Sequence, residues 1–297
     1  MPASSQTPDT VVVGAAGFIG RALASRLDTL DVPNVRAGRS ETAPNSIHLD
    51  RIAAARTVFW TASSINPKIA AESPDLVVAD RRAFSDFLDA LEERESAARV
   101  VFFSSGGTVY GAAPPPFHET TTPHPTTAYG EAKLALEDML LSRRESGVAV
   151  RIANAYGPGQ HPAPGQGVIG HWLRALARHE PISVYGDLAA ARDYLYIDDL
   201  VDALVRLRDV ESVPQVLNLG SGRPTTLGEI LEVIESVSHE HPADIQHSPA
   251  RSFDLERVWL DATRAHDALG WRAAVDLQTG VQAMWQWVLS SAASSDR

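Results

Sequence analysis

The chain has 297 residues, with 26 Lys and Arg against 37 Asp and Glu, and its net charge of −11 disfavours nucleic acid or an anionic membrane as a partner. It contains no cysteine, which excludes disulfides, thiolate nucleophiles and Cys-ligated metals. The opening MPASSQTPDT lacks an apolar core and no run of about 18 apolar residues follows, so the expectation is a soluble cytoplasmic protein large enough to build an enzyme core.

The first element is an unbroken β-branched run, Val11 to Val13, followed by glycines and then Ile19, Leu23, Leu27 and Leu30 at helical spacing: strand, tight turn, helix. The same rhythm continues through VRAG (35–38), TVFWTAS (57–63), the helical DLVVADRRAFSDFLDALEE (75–93), the apolar RVVFFSS (99–105), a helix around Tyr129 and the strand VAVRIANAYG (148–157). Buried strands alternating with amphipathic helices predict an α/β fold, a Rossmann-type doubly wound parallel sheet. The segment RSETAPNSIHLDRIAAAR (39–56) is too short to hold a full strand and helix, so one flank of the sheet is expected to be trimmed. From Pro158 the pattern loosens into turns, short strands such as ISVYG and QVLNLG, and helices near 167–179, 198–208, 226–238 and 277–290. This predicts a dinucleotide-binding domain over 1–157 and a smaller α/β substrate lobe over 158–297, with some segments returning to the first.

Three stretches carry chemistry. Gly14, Gly17 and Gly20 stand between a strand and a helix start, where glycine lets a pyrophosphate approach backbone amides at the positive end of the helix. About 20 residues on, where a carboxylate would read the adenosine 2′-hydroxyl of NAD, stand Gly38, Arg39 and Ser40. A guanidinium and a hydroxyl suit a 2′-phosphate, so the reading is NAD(P) with NADP(H) favoured. FFSSGGTVYG (102–111) ends an apolar strand in hydroxyls, bringing Ser104, Ser105 and Thr108 to the sheet's carboxyl edge, where open parallel sheets bind ligands. In PTTAYGEAKLALEDML (125–140), Tyr129 and Lys133 lie four residues apart on one helix face. Alone, that pair is ordinarily a packed ring and a snorkelled ammonium; beside the other two stretches it reads as an acid/base pair. A cation within about 4 to 6 Å is expected to lower the phenol's pKa towards working pH.

GAAGFIG, SSGGTVYG, YGEAK, RIANAYGPGQ, ARDYLYIDDLVDAL, VLNLGSG and LGW occur in an order and at spacings that resemble the extended short-chain dehydrogenase/reductases. Within them the chain is similar to the NAD-dependent epimerase/dehydratase family, which includes UDP-glucose 4-epimerases. The resemblance implies that Tyr129 is the acid/base at the sugar and that Lys133 is its electrostatic partner and a ribose ligand. It adds Phe18, Ile19 and Ala62 to the cofactor site. It implies that Asn154, Val168, Ile169, Arg192 and Arg251 hold a UDP- or TDP-hexose with Tyr156 beside the sugar, that Asp193 and Asp198 organise the fold, and that the protein is a homodimer. Three departures stand out. A third hydroxyl is replaced by Gly106, leaving Ser105 or Thr108 to bridge the proton; a cofactor-side Asn is Asp80; and the Asp-Glu pair of dehydratases is missing, which argues against 4,6-dehydration.

The expectation is hydride transfer at hexose C4 through a 4-keto intermediate, as an epimerase. The alternative is an NADPH-dependent ketoreductase of a TDP-4-keto-6-deoxyhexose, and a remote one is a dinucleotide-sensing protein without turnover. His239, His241 and His247 read as a solvated loop with no metal, Trp285 and Trp287 as packing of the last helix, and Pro114 to Pro116 as a loop over the cleft.

Overall fold

The protein is described by a computed structural model covering residues 9–163, 165–251 and 254–295, with the side chains of 292–295 excepted. The chain runs β1 (Thr10–Val13), α1 (Phe18–Thr29), β2 (Asn34–Ala37), a 3₁₀ helix (Arg39–Thr42), α2 (Leu49–Ala53), β3 (Thr57–Trp60), α3 (Pro67–Glu72), α4 (Pro74–Glu92), β4 (Arg99–Ser105), α5 (Gly106–Tyr110), α6 (Ala128–Arg143), β5 (Val148–Ile152) and β6 (Asn154–Tyr156). It continues through α7 (Val168–Ala177), β7 (Ile182–Tyr185), β8 (Ala191–Arg192), β9 (Tyr194–Tyr196), α8 (Ile197–Asp209), β10 (Val216–Leu219), β11 (Thr225–Thr226), α9 (Leu227–Ser238), β12 (Ile245–Ser248), β13 (Arg257–Val258), α10 (Thr263–Leu269) and α11 (Leu277–Ser295).

Six strands form one parallel sheet in the order β10-β5-β4-β3-β1-β2. The inner strands β1, β3, β4 and β5 are buried on both faces, and successive residues feed different cores because side chains alternate across a strand. Val11, Val13, Val58, Trp60, Val100 and Phe102 pack with Phe84, Phe87 and Leu88 of α4 and Leu136 and Leu140 of α6. Val12, Phe59, Val101, Phe103 and Val150 pack instead with Leu23 and Leu27 of α1 and with Leu200, Leu204 and Leu207 of α8. That two-sided burial is the doubly wound architecture. The short segment after β2 holds only the 3₁₀ helix and α2, so β2 is the sheet edge and β3 pairs on the other side of β1. The winding therefore reverses at β1, the place where open α/β sheets bind ligands.

Two elements depart from the sequence reading. QVLNLG, assigned to the smaller lobe, supplies β10, whose Leu217, Asn218 and Leu219 are fully buried at the far edge of the main sheet. The stretch VAVRIANAYG is two strands rather than one: Ala153 donates to the carbonyl of Leu219, Asn154 donates to that of Asp193, and β6 leaves the sheet to pair with β9. The rest of the C-terminal half consists of the β7/β12 pair and the β11-β8-β13 ladder, with α7, α9 and α11 around them.

Candidate active site

The turn from β1 into α1 requires glycine. Gly14 has φ +89°, and a Cβ there would lie 2.7 Å from the Ala62 amide nitrogen; a Cβ on Gly20 would lie 2.4 Å from the Gly14 carbonyl. Gly17 opens α1 with no side-chain cap, which leaves the first-turn amides beside half-buried Phe18 and Ile19 without a side-chain acceptor. An open backbone cradle at a helix N-terminus suits a pyrophosphate. Thr61, next to Ala62, fastens the loop by donating from Oγ1 to the Val13 carbonyl at 2.8 Å.

Beyond β2 the structure corrects the sequence reading of a guanidinium without carboxylates. Arg39 Nη1 donates to Asp80 Oδ1 at 2.7 Å, and Asp80 is 7% exposed on α4. Ser63 Oγ and the Ser64 amide also donate to the Asp80 carboxylate. Glu41 folds back so that its Oε2 accepts from the Gly38 amide at 2.7 Å and from Ser40 Oγ at 3.1 Å, contacts that hold its pKa below the ordinary carboxylate value. Glu41 escaped the sequence reading because it lies past the expected position and returns only through the 3₁₀ turn.

Helix α6 starts at the cap Thr127, whose Oγ1 accepts from the Gly130 amide at 3.1 Å. Two residues on, Tyr129 is half-buried, and Lys133 is 5% exposed. Lys133 Nζ donates to the Phe103 carbonyl at 3.0 Å and lies 5.6 Å from the centre of the Tyr129 ring. Burial pushes Lys133 down to about 8, opposed by Asp80 and Glu137. Burial raises the Tyr129 phenol above its usual value, and the Asp80 carboxylate adds to the rise. This reverses the lowered phenol that the spacing suggests: the ammonium is spent on a backbone carbonyl and faces the ring, so desolvation dominates.

The hydroxyls arrive at the end of β4 and on the short helix α5 that follows it. Ser105 ends β4 and is half-buried, while Thr108 lies inside α5 with its Oγ1 buried and lacking a hydrogen-bond partner in the protein. A Cβ on Gly130 would lie 2.3 Å from the Thr108 carbonyl, so α5 packs directly against the residue that follows Tyr129. Gly106 has a reason as well: a Cβ there would meet Leu260 Cδ1 at 2.6 Å, so Leu260 fills the space of a third hydroxyl side chain.

At the other end, Asn154 is exposed at the start of β6, its Nδ2 donating to the Asp193 carbonyl at 3.0 Å. Asp193 is buried and accepts from Ser221, Gly222 and Leu260, an anchoring role. Its expected counterpart Asp198 is exposed; the neighbouring Asp199 does that work, accepting from the Ala274 and Val275 amides. Arg192 is half-buried and donates to the Ala191 and Glu256 carbonyls, while Arg251 makes a two-pronged pair with Asp254. Burial lowers the Arg192 pKa, opposed by Tyr194 and Asp254, and the like charge of Arg251 adds a smaller lowering. Val168 opens α7 half-buried.

Two expected substrate contacts are overturned. Ile169 is 1% exposed, its side chain in the core. Tyr156 is 3% exposed, edge-on to Tyr196 at 5.7 Å, with its hydroxyl so close to Gly280 that a Cβ there would lie 2.2 Å away. Its ring fills the seam between β6 and α11, because the break at Ala153 takes β6 out of the sheet.

A profile described as the NAD dependent epimerase/dehydratase family matches residues 10–220. The chain belongs to this family. This family member is 31% identical to the UDP-glucose 4-epimerase of Mycolicibacterium smegmatis over 92% of its own length and 96% of the relative's. It is 32% identical to the dTDP-4-dehydro-6-deoxyglucose reductase of Escherichia coli, but over 56% of this chain and 53% of that one, about half the length of each. Among solved structures it resembles MoeE5 in complex with UDP-glucose and NAD, with 28% identity and TM-score 0.86 over 96% of this chain and 99% of that one. It also resembles the Thermus thermophilus UDP-glucose 4-epimerase complex with NAD, with 25% identity and TM-score 0.86 over 95% and 99% of the two chains. Among the described residues, no group of His, Asp and Glu is placed to hold a metal, and no helix is long and apolar enough to cross a membrane.

Proposed function

We propose that this family member is an NAD(P)-dependent nucleotide-sugar 4-epimerase. The observation that carries the reading is the near-full-length match to a UDP-glucose 4-epimerase on a chain whose cleft pairs Tyr129 with Lys133. The bound nicotinamide supplies reversible hydride acceptance. Tyr129 Oη, which has to be ionised in the loaded site against the rise that burial and Asp80 impose on it, takes the proton of the C4 hydroxyl on the forward step and returns one on the reverse step. Lys133 holds the ribose and keeps a positive charge behind the ring. Ser105 and Thr108 supply the bridging hydroxyl. Arg192 and Arg251, with Asn154 and the backbone at Val168, grip the diphosphate and nucleotide, so the 4-keto hexose turns on a fixed anchor and receives hydride on its other face.

The preference for NADP(H) drawn from the sequence requires an unpaired Arg39 and no carboxylate nearby. With Asp80 and Glu41 in place, the folded site supports NAD(H). We also propose the division into a cofactor part (1–157) and a substrate part (158–297), with β10 crossing back, and a cytoplasmic homodimer. Exposed Leu76 and Val78 on α4 support the dimer, which light scattering would test.

A second reading, NADPH-dependent reduction of a TDP-4-keto-6-deoxy sugar, is favoured by the half-length match to the E. coli reductase. One experiment separates the two. Purified protein with no added reductant receives UDP- and TDP-hexoses, and C4 is followed by NMR. Inversion, with nicotinamide copurifying, is the expected result. No inversion, together with NADPH consumption on the 4-keto sugar, moves the assignment to the reductase.

A further inference from the structure

Asp80 is buried and accepts hydrogen bonds from three residues, Arg39, Ser63 and Ser64. Its two oxygens accept from Arg39 Nη1 at 2.7 Å, Ser63 Oγ at 2.7 Å and the Ser64 amide at 2.8 and 3.0 Å. The Arg39 side chain is 38% exposed and that of Asp80 only 6%, so the pair sits at the wall of the cleft and is shielded on its carboxylate side. Its location follows from the sheet order. Arg39 comes directly after β2 and Asp80 lies on α4, which follows β3; β2 and β3 flank β1 on opposite sides. The ion pair therefore straddles the carboxyl end of β1, from which the glycine turn of the pyrophosphate site departs.

A 2′-phosphate is a dianion and needs unspent positive charge, whereas a 2′-hydroxyl needs only an acceptor and tolerates a carboxylate nearby. Around Arg39 the charges are one guanidinium, the Asp80 carboxylate that touches it, and the Glu41 carboxylate on the Gly38 amide, a sum of one negative charge. We propose that Asp80 is a specificity-determining residue for the cofactor: by occupying the Arg39 guanidinium it makes the ribose end of the cleft read a 2′-hydroxyl, so that the enzyme takes NAD(H) and rejects NADP(H). This rests on the reading that the cleft holds a dinucleotide. An asparagine at 80 keeps one oxygen for the Ser64 amide, turns the other acceptor into an NH2 donor that Ser63 Oγ can meet as acceptor, and removes the charge.

The test is titration calorimetry of NADH and NADPH, without sugar, into the wild type, Asp80→Asn, Arg39→Ala and the double variant, each first stripped of copurifying nicotinamide, with melting curves to confirm folding. The expected wild type binds NADH more tightly than NADPH. Asp80→Asn shifts the ratio about 10- to 100-fold towards NADPH, the size of one charge-assisted contact released to the ligand. Arg39→Ala alone leaves wild-type NADPH affinity within about twofold, and the double variant loses the gain, which a packing defect at Asp80 would not do. The proposal is overturned by an unchanged ratio in Asp80→Asn, by a gain that survives Arg39→Ala, or by a tenfold loss of NADPH affinity from Arg39→Ala alone. That last measurement decides the matter even if Asp80→Asn does not fold. A wild type that binds neither dinucleotide refutes the cofactor cleft itself as well, a failure distinct from an unchanged ratio.

Discussion

The two ends of the cleft carry opposite balances of the same groups. At the cofactor end one guanidinium, Arg39, is set against two carboxylates, Asp80 and Glu41. At the proposed substrate end there are two guanidinia: Arg251, paired with the Asp254 carboxylate, and Arg192, which bonds only backbone carbonyls. The pyrophosphate of a dinucleotide is served by backbone amides at the uncapped start of α1, so side-chain cations are dispensable there. On the proposed function the substrate's diphosphate would rely on Arg192 and Arg251, which would make that end the positive one. Tyr129 and Lys133 stand between the two, close enough to Asp80 to register its charge.

The sharpest way to test that middle position is Tyr129→Phe, which keeps the ring and removes only the acid/base oxygen. Turnover should fall by about 10² to 10⁴ while NADH affinity holds within about threefold. A variant keeping more than about a third of wild-type turnover removes Tyr129 from the chemistry. Next in size is the substrate end. Arg192→Ala and Arg251→Ala should each weaken UDP-hexose binding by about ten- to a hundredfold and leave NADH unchanged in calorimetry. Equal losses for both ligands would erase the contrast between the ends.

The smallest effect concerns stability. Lys133 binds its proton less well folded than unfolded, with a pKa of about 8 against an ordinary 10.5. Between those values the unfolded state holds more protons, so the Lys133 contribution to stability rises with pH across that window, and below about pH 8 the burial cost is fully present. Lys133→Met should therefore stabilise the ligand-free protein by about 1 to 3 kcal/mol at pH 7 and flatten the slope above pH 8, while abolishing most activity. Denaturant melts at pH 7 and pH 10 check this; a destabilised Met variant would show that the bond to Phe103 outweighs desolvation.

How much of this could be read from the chain depended on sequence distance and on strand breaks. Gly14 and Gly20 are legible because sterics leave no other residue type at those two positions of the turn. Tyr129 and Lys133 are legible because helical spacing is local. The Arg39–Asp80 pair is not, since its members are 41 residues apart and meet only because the sheet reverses at β1. Tyr156 misleads for a different reason: the run 148–157 reads as one continuous strand, and nothing in it signals that Ala153 and Asn154 bond to different partner strands. Buried Glu137, three hydrogen bonds onto Arg151 and one turn beyond Lys133, likewise reads as an ordinary surface acid until β5 is laid beneath α6.

The central claim is that one bound cofactor takes hydride from C4 and gives it back to the same sugar. A UDP-hexose deuterated at C4, incubated with the purified protein and no added reductant, tests that directly by NMR and mass. The account predicts a C4-inverted product that keeps its deuterium at C4, with no net reduced nicotinamide. Absence of inversion, or inversion with the deuterium lost, would contradict it.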